Sequence, residues 1–215
     1  MSVEHEEKRR LRRDLREVRR GLPAEVVAAR GRALAGRVRE LDELRTAPVT
    51  GAGGTGGTGN VEVTAPTVAA YVSIGGEPDT HALIDALRAA GVRVLLPVLL
   101  PDNDLDWAVY EGPEHLVPAS WGLREPDGPR LTPEAVVEAD VVLLPGLAVD
   151  RTGLRLGRGG GSYDRVLARL ERSGRPTSLV VLLYDDEVLE RVPAEPHDRR
   201  VHAAVTPSGV HRFRR

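Results

Sequence analysis

Apolar positions recur at helical spacing along the first 44 residues. From Glu4 to Leu22, the residues Leu11, Leu15, Val18 and Leu22 fall three and four apart while arginines fill the opposite face, which predicts an amphipathic helix. Pro23 suits a first-turn position, and Ala24 to Leu44 continues as a second, alanine-rich helix. Its apolar side carries Val27, Leu34, Val38 and Leu41, and Gly31 and Gly36 weaken it. The periodicity then stops. Pro48 to Asn60 has the composition of a flexible Gly/Thr surface loop, and its glycines lack the preceding strand and following helix of a phosphate loop.

Beyond the loop, strand and helix patterns alternate. Val68 to Ile74 is β-rich, Asp79-Thr80 offers a helix cap, His81 to Ala90 is helical, and Gly91 ends it before the strand Val92 to Leu96. Leu105 to Tyr110 alternates like a half-exposed strand, and Thr132-Pro133-Glu134 opens a short helix ending near Asp140. Val141 to Leu144 is a fully apolar strand that runs into a glycine-rich stretch. A helix from about Ser162 to Ser173 follows, with Val166, Leu167 and Leu170 facing inward. Ser178 to Leu183 reads as a buried strand, Asp185 to Arg191 as a short helix and Val201 to Val205 as a last strand. Continuous apolar strands alternating with helices predict an α/β fold, a mixed but mainly parallel sheet flanked by helices.

Composition narrows the function. A chain of 215 residues, 41% of them hydrophobic, suits one domain spanning 1–215, and its longest largely apolar runs are strand-sized, well short of the roughly 20 residues of a membrane span. The first residues are acidic where a signal peptide is basic and then apolar, which predicts a cytoplasmic protein. The absence of cysteine excludes disulfides, thiolate zinc sites and cysteine nucleophiles, so any metal must use oxygen or imidazole. A net charge of -2 and 3% aromatic residues argue against nucleic acid as a partner, although Lys8 to Arg20 is strongly basic. Of the 30 basic residues only Lys8 is a lysine.

The glycine-rich stretch carries the chemistry. Ligands of open α/β sheets sit beyond the carboxyl ends of strands, and Arg155 to Asp164 occupies such a place between strand and helix. Gly157, Gly159, Gly160 and Gly161 free the backbone to aim successive N–H groups at one oxyanion, and the following helix adds its positive end. Arg155 and Arg158 supply fixed charge as the candidate catalytic cations, and Asp164 suits a carboxylate ligand for Mg2+. The same residues also fit a glycine-rich bend on a basic surface, with Asp164 as a capping charge. Neither the G-x-x-x-x-G-K-[ST] nor the G-x-G-x-x-G pattern is present.

Four segments, in order along the chain, resemble 5-formyltetrahydrofolate cyclo-ligases, also called methenyltetrahydrofolate synthetases. They are Lys8-Arg9-Arg10-Leu11-Arg12, Tyr71 to Thr80, Leu144 to Arg165 with its Arg-Leu-Gly-Arg-Gly-Gly-Gly-Ser-Tyr-Asp core, and Pro193 to Asp198 with Thr206 beyond it. The resemblance implies a sugar-phosphate-isomerase-like architecture and an ATP-dependent ligase of one-carbon metabolism. That enzyme closes 5-formyltetrahydrofolate into 5,10-methenyltetrahydrofolate, releasing ADP and phosphate, with Mg2+ required. It places ATP contacts on Lys8, Arg12 and the run Arg155, Leu156, Gly157, Arg158, Gly159, Gly160, Gly161, Ser162 and Tyr163. Folate contacts fall on Val72, Glu77 and the run Arg158 to Ser162, and the metal carboxylates on Asp164 and Asp198. Trp121 matches a family tryptophan and is either an apolar wall for the pterin or a core residue; Trp107 reads as core. Ser162 stands where many members carry tyrosine, Val149 where an aromatic is common, and Gly160 where some carry lysine. The implied partners are small molecules, and the implied state is a monomer or small homo-oligomer. A non-catalytic nucleotide or folate sensor and an RNA-interacting protein built on the basic first helix are the competing functions.

Overall fold

The computed structural model describes residues 3–44, 65–195 and 198–213; the Gly/Thr loop at 48–60 and His197 lie outside them. The chain opens on helices α1 (Val3–Arg20) and α2 (Ala24–Val38), followed by a 3-10 turn at Asp42–Leu44. Next come β1 (Thr67–Ala69), α3 (His81–Ala89), β2 (Arg93–Leu99), β3 (Leu105–Val109), β4 (Leu116–Pro118) and β5 (Arg124–Pro126). A 3-10 segment at Pro133–Glu138 precedes β6 (Val141–Pro145), β7 (Ala148–Asp150), β8 (Arg155–Leu156), α4 (Ser162–Ser173) and β9 (Ser178–Leu182). A 3-10 turn at Asp185–Glu187 leads to β10 (Val188–Leu189), then β11 (Ala203–Thr206) and β12 (Gly209–Arg212).

Seven strands form the main sheet in the order β12-β11-β9-β6-β1-β2-β3. The five inner strands are mutually parallel, and the edge strands β3 and β12 pair antiparallel. This is the mixed, mainly parallel sheet that the apolar runs imply. On one face Leu34 and Val38 of α2 and Leu83, Ile84 and Leu87 of α3 pack on Val68, Val94 and Leu143. On the other, Val166, Leu167 and Leu170 of α4 pack on Val142, Leu144 and Val181. No helix among the described residues is long and apolar enough to cross a membrane.

Several elements differ from the pattern-based expectation. The second helix ends at Val38, six residues early, although Leu41 stays fully buried beyond it. The helices expected at Thr132 to Asp140 and Asp185 to Arg191 are 3-10 segments, the latter passing directly into β10. β3 is not half-exposed: Leu105, Asp106, Trp107 and Ala108 are all buried, because the 3-10 segment 133–138 covers the sheet edge there. Trp107 is indeed core, fully buried. Gly209–Arg212, which shows no strand pattern in the sequence, forms β12. A second sheet, β10-β7-β8, and a β4-β5 hairpin were not foreseen.

The largest departure concerns α1. Leu11 and Leu15 pack on Ala148 and Leu156 of the small sheet and on Leu147, Leu154 and Val192 beside it, as their spacing predicts. Val18, however, is exposed, and the buried positions that flank the leucines are Lys8 and Arg19. Both cations are held by carboxylates from distant parts of the chain, which is what allows them into a protein interior. Gly31, read as a weak point of α2, is a contact: a Cβ there would lie 2.6 Å from the Asp79 Cβ and 2.7 Å from its carbonyl oxygen. The helix thereby approaches the loop that leaves β1 towards the site.

Candidate active site

A cavity of ≈ 560 Å³ opens beyond the carboxyl ends of β1, β2 and β6, where parallel α/β sheets place their ligands. One wall is the segment after β1. The Thr80 hydroxyl donates to the Tyr71 carbonyl at 2.7 Å and accepts the Ser73 N–H at 2.9 Å, pinning the chain as it turns. The cap of α3 is supplied by Asp79, whose Oδ1 accepts the His81 N–H at 3.0 Å. Tyr71, Val72 and Glu77 from this segment line the cavity. Glu77 is 7% exposed; Oε2 accepts the Ile74 N–H at 3.0 Å and Oε1 the Arg158 Nη1–H at 2.9 Å.

The facing wall is the glycine run between β8 and α4. Gly159 (φ +90°) and Gly161 (φ +82°) occupy the left-handed region that favours glycine, and Gly161 is the cap residue from which α4 starts. Helix α1 grips this loop by its carbonyls: Arg12 Nε donates to Gly157 O at 2.9 Å and Arg16 Nη2 to Arg158 O at 2.6 Å. Across their trans peptides these contacts turn the Arg158 and Gly159 N–H groups away from the two donors, and the arginines crowd one another. Burial and then the charges of Arg158, Arg12 and Arg19 pull the Arg16 guanidinium below its ordinary value. That concentration of positive charge suits an anion.

Arg155 lies beneath the loop. Its side chain is 6% exposed, Nη1 donates to Pro145 O at 2.8 Å, and Nη2 lies 3.6 Å from Asp164 Oδ1. Burial pulls it down from its ordinary value against the opposing pull of Asp164, Tyr163 and Asp198. Arg155, Arg158, Gly157, Gly159, Gly160, Gly161, Ser162, Tyr163 and Asp164 all line the cavity, as do Arg12 and Asp198. Leu156 does not: its side chain is 1% exposed within the small-sheet core. Lys8 also stays off the wall. Its ammonium is 2% exposed and bonds Asp198 Oδ2 at 2.5 Å and Glu195 Oε2 at 2.7 Å, so it stands behind Asp198.

The two expected metal carboxylates thus reach the same cavity in different conditions. Asp164 is 60% exposed, whereas Asp198 commits Oδ2 to Lys8 and to the Glu195 N–H at 2.6 Å. No group of three or more His, Cys, Asp or Glu side chains that could hold a metal occurs among the described residues. An Mg2+ ion that keeps several waters and shares its shell with phosphates needs only one or two carboxylates, so the pair fits such an ion.

Residues 61–207 match the model of the 5-formyltetrahydrofolate cyclo-ligase family. The chain belongs to that family. A 5-formyltetrahydrofolate cyclo-ligase from Mycolicibacterium smegmatis is 45% identical over 152 residues, 68% of this chain and 76% of the relative. Another from Escherichia coli K12 is 38% identical over 150 residues, 69% of this chain and 81% of the relative. The solved 5,10-methenyltetrahydrofolate synthetase of Aquifex aeolicus superposes with a TM-score of 0.74 at 27% identity, covering 97% of this chain and 93% of that one. The mixed sheet flanked by helices is the fold of this ligase family.

Within the cyclo-ligase framework two residues stand out that the sequence patterns did not single out. Tyr71 sits at the cavity floor with its hydroxyl buried, and Glu195 braces Lys8. A tyrosine in an apolar strand reads as core, and a carboxylate in a proline-rich loop reads as surface. Trp121 resolves against the core alternative: it is 87% exposed, at φ +61°, on the cavity rim.

Proposed function

We propose that this chain catalyses the Mg-ATP-dependent closure of 5-formyltetrahydrofolate to 5,10-methenyltetrahydrofolate through a phosphorylated formyl intermediate. The observation that carries the reading is the single cavity in which the glycine loop, with Arg155 and Arg158, faces Tyr71, Val72 and Glu77. Two ligands bound on these walls meet in the middle, where a γ-phosphate can reach a formyl oxygen.

The formyl oxygen is a poor leaving group. Attack of that oxygen on the γ-phosphorus, with ADP departing, turns it into a phosphate ester on an N5 iminium carbon. N10 then bonds to that carbon, the C–O bond breaks, and phosphate leaves with the N10 proton. The glycine-loop amides, the start of α4 and Arg12 hold the nucleotide phosphates, while Arg155 and Arg158 stabilise the charge that develops on the transferred group. Glu77 accepts the donor edge of the pterin, and Trp121 offers an apolar surface at the rim. Asp164 and Asp198 would hold Mg2+, which would supply positive charge to neutralise the phosphates.

Purified protein with 5-formyltetrahydrofolate and Mg-ATP should form the methenyl product, followed by its absorbance. Asp164→Ala should abolish that turnover and cost about 1 kcal/mol of stability, because the exposed carboxylate is also a counter-charge of buried Arg155. Unchanged turnover would sink the metal assignment. Binding of both ligands without product would favour a sensor in place of an enzyme.

A further inference from the structure

Among the described residues, four buried side-chain nitrogens or oxygens lack any hydrogen-bond partner: Tyr71 Oη, Trp107 Nε1, Arg155 Nε and Tyr163 Oη. Three belong to residues that line the cavity described above. An unpaired buried polar group weakens the free protein, and a cluster of them around a cavity calls for a ligand that pairs them. Every one of the three can donate a hydrogen, so the ligand must bring acceptors to that place.

The neighbourhood of Tyr71 specifies the acceptor. Its carbonyl is fixed by Thr80, and the next residue, Val72, lines the same wall. Burial and then the charge of Glu77 push the Tyr71 phenol well above its ordinary value, and the same two causes act on Tyr163. Both phenols therefore keep their protons and share the field of Glu77, with Arg19 and Glu187 also acting on Tyr71 and Arg155 on Tyr163. Glu77 accepts only N–H donors, from Arg158 and Ile74. A carboxylate beside protonated phenols complements a ligand edge on which N–H donors adjoin a carbonyl acceptor. The oxo-pyrimidine of a folate has that edge.

We infer that Tyr71 is a specificity-determining residue of this site, its hydroxyl donating to the ring carbonyl of the pterin whose neighbouring N–H groups meet Glu77. The inference rests on the folate reading above and adds which residue recognises the carbonyl. A site whose buried polar groups await a partner rejects an analogue that lacks that partner, because those groups are then left unpaired.

Tyr71→Phe removes one oxygen that bonds nothing in the free protein. Its melting temperature should equal or exceed that of the wild type, while the KM for 5-formyltetrahydrofolate rises on the order of tenfold. The KM for ATP and the kcat at saturation should stay within about twofold, since the lost bond is uniform binding of one substrate. Competition by a 4-amino pterin, in which an amino group replaces the carbonyl, should be weak against the wild type relative to the oxo compound. In Tyr71→Phe that discrimination should shrink to the part Glu77 imposes, since N3 of the 4-amino compound carries no hydrogen for the carboxylate to accept. An unchanged folate KM, an unchanged discrimination ratio, or a melting temperature lowered by more than about 2 °C would each overturn the role given to Tyr71. A wild type that neither binds nor converts 5-formyltetrahydrofolate would overturn the folate reading itself, a result the wild-type arm reports separately.

Discussion

Helix α1 is tied to the rest of the molecule by a buried cation near each end, and the two ties differ in what surrounds them. At the carboxyl end, Arg19 donates from Nε and Nη2 to Glu187 at 2.6 and 2.7 Å, and Nη2 also reaches Gly146 O at 2.7 Å. Glu187 accepts the Tyr184 N–H at 2.9 Å as well, and Arg19 stacks 5.5 Å from the Tyr184 ring. Both charged side chains are 4% exposed and every partner is internal. At the amino end, Lys8 is as deeply buried, but Asp198 lines the cavity. The first tie is a strut and the second a support behind a wall that ligands touch. Burial of a charge does not distinguish them; the far side of the partner does.

The comparison breaks if the two ties respond alike to being cut. Arg19→Met leaves Glu187 buried without its cation, and cutting one partner from such a pair costs about 3–5 kcal/mol. Urea unfolding should show that loss, with kcat per folded molecule unchanged. A variant of near-wild-type stability and lowered kcat would place Arg19 on the functional side. Lys8→Met should do the reverse. Removing the group that orients a metal carboxylate typically costs about 10- to 100-fold in metal affinity or activity, so turnover should drop by that order and half-saturation should need more Mg2+. A rise in the KM for ATP with no change in Mg2+ dependence would instead mean that the ammonium leaves Asp198 and meets the phosphates directly.

The same contrast marks what could be read from the chain. The inner strands β2, β6 and β9 and helix α4 were legible because apolar runs and helical periods are local, whereas β1 stops at Ala69, five residues short of the expected Ile74; α4 spans Ser162–Ser173 as its apolar spacing and preceding glycines imply. Strands β7, β8 and β10 are two or three residues long, too short to show a period, so the small sheet under α1 left no mark. In the site, the glycine run and its arginines could be recognised as an anion cradle from residue chemistry alone. The meeting of the four segments rested on the family resemblance, and the structure brings residues of all four to one place. Pairing was illegible. Lys8 and Asp198 are 190 residues apart, and nothing local distinguishes a lysine bound for the interior from one in solvent. Arg19, on a helix dense in arginine, gave no sign of being the one with a buried partner.

Asp150 tests whether internal partners alone define the structural class, because its partners are neutral. It ends β7, is 5% exposed, and Oδ1 accepts the Thr152 N–H at 2.8 Å, the Thr152 hydroxyl at 2.6 Å and the Leu154 N–H at 3.1 Å. Oδ2 accepts the Val192 N–H at 3.3 Å, joining the turn before β8 to the strap after β10. Burial works to raise its carboxyl, but these hydrogen bonds outweigh it and hold the group below its ordinary value. A carboxylate depressed in the folded state contributes stability above its unfolded value, near 3.9, and loses it as pH falls through the folded one. Asp150→Asn should therefore be less stable than wild type by roughly 1–2 kcal/mol at neutral pH, with the gap narrowing below about pH 4. Thermal unfolding across pH 2.5 to 7 would measure it, where roughly that range brackets the unfolded value. If instead the KM for either substrate moves while the gap stays flat with pH, Asp150 acts on the cavity through β8, and neutral internal partners do not suffice to class a buried charge as a strut.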